Sequence, residues 1–157
     1  MPQLLPAPLR SAMHTAAGGL QRPWVRWFNQ VFASGVRGEL VEITYHDEDL
    51  VDQVFFIANR SYYVKTVRAI HSTAGSDSSD VEFQLTKDTS TGAPGSGVDV
   101  LAAAVDLKAT ANTVQAPTLS TTEADRKLSA GDRLAIAFTG TLTAVAGLVV
   151  TVTLRAL

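Results

Sequence analysis

A chain of 157 residues and 16.7 kDa has room for one domain and a short appendage. With 46% hydrophobic and 18% charged residues it carries enough apolar material for a packed core, which excludes wholesale disorder. The net charge of -2 speaks against a general nucleic-acid binder, and the lack of cysteine excludes disulfide frameworks, thiolate nucleophiles and cysteine-held metals.

Residues 1–22 are rich in Pro, Ala and Gly and follow neither a helical nor a strand period. Pro2, Pro6 and Pro8 remove N–H donors, so this stretch is expected to be an extended arm. Arg10 and the prolines interrupt any apolar run that a secretory signal would need. The period changes at Pro23. Trp24, Trp27, Phe28, Val31 and Phe32 fall at i, i+3, i+4, i+7 and i+8, one apolar stripe of a short helix that Ser34-Gly35 would end. Both tryptophans of the chain lie on this stripe. A helix of this length is marginal alone and needs a surface, either its own domain or a partner; these five residues are the candidate partner-binding residues.

From Gly38 onward the pattern is strands and turns. Glu39–Tyr45, Gln53–Ala58, Tyr62–His71, Val81–Lys87, Leu134–Thr139 and Leu148–Arg155 read as strands, with weaker ones at Val98–Leu101 and near Leu128. Val81, Phe83 and Leu85 alternate with Glu82, Gln84 and Thr86, the cleanest period of two. Leu101–Asn112 is expected to hold one helical turn. Gly, Asn, Asp and Ser clusters bound each run. The 17 Thr and 17 Val suit such strands. Seven or eight short strands at this spacing predict an all-β antiparallel sandwich or barrel over residues 38–157, preceded by an arm and helix over residues 1–37.

Reactive motifs are weak. Gly92–Gly97 is glycine-rich but lacks the Gly-Lys-Ser/Thr of a P-loop, so an inter-strand loop is the reading. There is no G-x-S-x-G, and His14, His46 and His71 hold no distinctive spacing to a nucleophile. The acidic run His46-Asp47-Glu48-Asp49, with Asp52, lacks the register and glycine of an EF-hand and reads as a solvated hairpin loop. Arg10, Arg22, Arg26, Arg37, Arg60, Lys65 and Arg68 are scattered, and Arg126-Lys127 is the one adjacent basic pair. No catalytic residue, cofactor, metal, nucleic-acid or membrane interaction is expected.

The opening LP-x-PL…GGLQRPWVRWFNQVF is similar to the start of small tailed-bacteriophage virion proteins, in which a Trp-x-x-Trp-Phe helix follows a short arm. The body resembles the jelly-roll-like sandwich of phage head-decoration (cement) and fibre proteins. The strand ending Leu85-Thr86-Lys87 precedes a long excursion, and the L-x-x-GDRL turn at Leu128–Leu134 leads into two closing strands. The resemblance implies a non-enzymatic virion structural protein, first a capsid-decoration protein, alternatively a head-fibre, tail-fibre or tail-adaptor protein that binds a host surface. It implies localisation to the virion, with the major capsid protein or another virion protein as partner and a homotrimer as the assembled state. A depolymerase is disfavoured by the chain's length.

Overall fold

The computed structural model describes residues 40–46, 49–89 and 91–157. The arm, the aromatic stripe from Trp24 to Phe32, Asp47 and Glu48 lie outside the described residues.

Leu40–Leu157 forms one compact unit of two antiparallel sheets. Its strands are β1 (Leu40–His46), β2 (Gln53–Ile57), β3 (Tyr62–Ile70), β4 (Glu82–Asp88), β5 (Val98–Asp99), β6 (Val105–Asp106), β7 (Lys127–Leu128), β8 (Arg133–Thr139) and β9 (Val149–Ala156). The first sheet runs β1-β9-β3-β7 and the second β2-β8-β4-β5, with β6 beside β4. The chain changes sheet at β1–β2, β2–β3, β3–β4, β6–β7, β7–β8 and β8–β9. Two facing sheets thus enclose a common core, a β-sandwich.

The period of two decides what the core contains. Val81, Phe83 and Leu85 are buried, as are Leu134 and Ile136 from β8 and Leu148, Val150, Val152 and Leu154 at β9. Phe138 is partly buried and tilted against Phe83, with ring centroids 6.5 Å apart. Tyr45 of the first sheet meets Phe55 of the second edge to face at 5.7 Å, so aromatic contacts tie the sheets together.

Two departures from simple alternation matter. The β3–β9 register shifts between Val64 and Thr66. Tyr62 and Val64 point inward before this bulge, and Val67 and Ala69 after it. An unbroken strand would turn Thr66 and Arg68 inward and Val67 outward; the extra residue resets the phase and leaves Lys65 and Thr66 both exposed. The second departure corrects an expectation. Leu101–Asn112 holds no helical turn; it contains β6, and the described helical turn is a 3-10 one at Glu123–Arg126. The alanines of 102–104 favour a helix locally, but Leu107 donates its N–H to Val81 O at 2.8 Å and buries its side chain completely. Core burial and ladder pairing outweigh a propensity of a few tenths of a kcal/mol per residue.

Candidate functional site

The outer faces of the two sheets are treated differently. On the second sheet, Thr86 and Asp88 of β4 point away from the core yet are buried, because the 89–97 loop folds back over them. The Asp88 carboxyl staples this loop. It accepts from the Gly97 amide at 2.9 Å, the Gly95 amide at 3.1 Å and the Thr86 hydroxyl at 3.0 Å. Gly97 passes so near Lys87 O and Asp88 that a Cβ there has no space. The glycine-rich segment is an inter-strand loop, as its sequence suggested, and it also covers Thr86 and Asp88, with the Gly95 and Gly97 amides turned to Asp88.

His71 is likewise used by the fold. It is fully buried at the end of β3, its Nε2 lies 3.0 Å from Ala109 O, and its own carbonyl accepts from the Asn112 amide at 2.8 Å. Its Nδ1 has no protein partner. No group of three or more His, Asp or Glu suited to a metal occurs among the described residues.

Unlike the second sheet, which the 89–97 loop covers, the first sheet has no loop among the described residues folded over its outer face in that way. Its outward side chains form rows fixed by register: Leu40–Arg155–Tyr63–Lys127, then Glu42–Thr153–Thr66, then Thr44–Thr151–Arg68, then His46–Val149–Ile70. A groove of about 410 Å³ lies over the middle rows, between Glu42 and Arg68, floored by Thr151 and Thr153 and walled by Val114. Thr66 donates its hydroxyl to Thr153 across the floor at 2.9 Å. Val114 is held there because Gln115 and Ala69 exchange backbone hydrogen bonds at 2.8 and 3.0 Å.

One pleat beyond the groove, about 7 Å along the strands, stands Tyr63. Three cations surround its ring. The Arg126 guanidinium lies 5.0 Å from the centroid, the Arg155 guanidinium 5.7 Å and the Lys65 ammonium 5.7 Å. Each arrives by a different route: Arg126 ends the 3-10 turn, Arg155 is Tyr63's partner on β9, and Lys65 reaches the face through the β3 bulge. No ion pair to a carboxylate engages any of the three among the described residues, and the Arg126 Nε is buried without a hydrogen bond. Such a ring attracts each cation by about 0.5–1 kcal/mol at an exposed site, while the cations repel one another.

Sequence reasoning missed this cluster. Tyr63, Lys65, Arg126 and Arg155 are scattered along the chain and meet only through long-range strand pairing. The available signals were the adjacent pair Arg126-Lys127 and the parity switch in β3. The candidate partner-binding residues Trp24, Trp27, Phe28, Val31 and Phe32 fall outside the described residues. Among those described, no helix is long and apolar enough to cross a membrane. Comparisons with protein-family models, curated proteins and solved structures returned no match.

Proposed function

We propose that this chain is a non-enzymatic bacteriophage virion structural protein, a capsid-decoration protein that binds the capsid lattice as a homotrimer. The observation that carries the reading is the strand order. With the two-residue β6 set aside, the eight remaining strands pair in the order first-eighth-third-sixth and second-seventh-fourth-fifth. This is the nesting expected of a chain wound as a jelly roll, an architecture of viral capsid proteins, lectins and cupins. Within that set, an interior filled by Phe83, Leu85, Leu134, Ile136 and Leu154 favours a packed structural module over a cupin-like pocket. The open outer face of the first sheet supports work by surface binding, since His71 and Asp88, which carry the most reactive chemistry in the interior, are committed to holding loops.

In this reading the Trp24, Trp27, Phe28, Val31 and Phe32 stripe anchors the chain to the major capsid protein or another virion protein, and the sandwich decorates the outside. The test is a quantified protein gel of purified virions, with the full chain and with residues 1–33 deleted. The reading expects the full chain at the high copy number of a lattice protein, and a truncated chain that folds but stays off the particle. A few copies per particle would instead identify a fibre or tail-adaptor protein. Absence of the full chain from particles would overturn the virion assignment.

A further inference from the structure

We infer that the Tyr63 cluster is a docking site for an acidic protein surface, one that presents carboxylates to Arg126, Arg155 and Lys65. The inference rests on the proposal that this chain works by binding, and it names the face and the partner's chemistry.

Three observations carry it. The first is uncompensated charge. All three cations lie within 5.7 Å of one centroid, so no two can be more than about 11 Å apart, yet no carboxylate pairs with them among the described residues. Exposed Lys127 adds a fourth positive charge directly opposite Tyr63 on β7. Like charges gathered at this spacing attract an anion, and an anion that approaches relieves their repulsion. The second is preorganisation. Arg126 and Arg155 are held against a half-buried ring on a sheet, so binding immobilises few new rotamers, and a guanidinium fork matches a carboxylate with two parallel hydrogen bonds. The third is composition: Tyr and Arg are the residue types that dominate binding energy at protein interfaces.

The same observations disfavour a nucleic acid. Cations already crowd the Tyr63 ring, which leaves it poorly placed to stack a nucleotide base.

The experiment uses the full chain and fluorescently labelled poly-L-glutamate as the probe, followed by anisotropy at low and at physiological salt. Single-stranded DNA and polygalacturonate are titrated in parallel. We expect poly-L-glutamate to bind most tightly, with salt weakening it. Arg126→Ala/Arg155→Ala should lower its affinity about tenfold or more, on the scale of disrupted charge pairs at interfaces. The control Lys108→Gln, whose ammonium bonds Ser79 O away from the cluster, should change it less than about twofold. Tyr63→Leu keeps the charges but removes their platform, and should fall between the two. Thermal melts establish that each variant is folded. Equal losses in the cluster and control variants would overturn the site, and tighter binding of DNA or polygalacturonate would overturn the partner class. Neither result depends on whether the chain is found in virions.

Discussion

The two outer faces of this sandwich solve the same problem in opposite ways. Each sheet has one side on the core and one side to dispose of. The second sheet covers its outer side with its own 89–97 loop, and the bond that holds the loop comes from Asp88, a polar residue the loop buries. Among the described residues the first sheet's outer side has no such cover, and there the polar residues are threonines along a groove and cations around Tyr63. A buried carboxyl with three donors is satisfied within the chain; the surface cluster of three cations meets no carboxylate among the described residues. It is on the first sheet's outer face that we propose the binding surface.

The comparison breaks entirely if the shared core is lost. Phe83→Asp places a charge among Leu85, Ile136 and Phe138 where nothing can pair with it, and should abolish cooperative unfolding, a cost above about 4 kcal/mol. Circular dichroism with a thermal melt checks this. Next in size is Asp88→Ala. It leaves the Gly95 and Gly97 amides without their acceptor and should lower stability by about 2–4 kcal/mol in urea denaturation, with the new proteolytic cuts falling in residues 89–97. The open face should behave otherwise: Arg126→Ala should cost less than about 1 kcal/mol of stability, because the cation–π contact it loses is weak at the surface.

The smallest effect concerns pH. The Thr141 hydroxyl, followed by the amide and hydroxyl of Ser79, holds the Asp77 carboxyl at about 2, below the usual 3.8. A carboxyl depressed in the folded state contributes stability that is present above its unfolded value and is lost as the pH falls through its folded one. Melting temperatures of the parent chain should therefore fall between pH 4 and pH 2 more steeply than those of Asp77→Asn, the two curves running parallel above pH 5. Asp77 lies in the loop between β3 and β4, so this titration should leave poly-L-glutamate binding at neutral pH unchanged.

How much of this was legible in the sequence depended on the range of the interactions. The strands Val81–Lys87, Leu134–Thr139 and Leu148–Arg155 were read to within a residue or two, because burial on one face imposes alternation directly on the chain. Leu101–Asn112 was misread because its alanines report local propensity, whereas Leu107 and Val105 answer to β4 far away in sequence. That Gly92–Gly97 is an inter-strand loop was visible, but its cover role and its staple were not, since Asp88 looks like any strand-end carboxylate until the loop lies on it. The Tyr63 cluster was hidden most deeply. Its members are joined by the β3–β9 register, the 3-10 turn and a one-residue bulge, none of which leaves a local motif.

The claim that the first sheet's outer face is the binding face is tested most directly by lysine footprinting of the full chain, free and with saturating poly-L-glutamate. Lys65 and Lys127 belong to the cluster, whereas Lys108 is exposed elsewhere and bonds to Ser79 O at 2.9 Å. The account predicts that acylation of Lys65 and Lys127 slows at least about threefold on binding while that of Lys108 is unchanged, as expected for groups desolvated in a charged interface. Equal slowing at all three lysines, or protection of Lys108 alone, would contradict it.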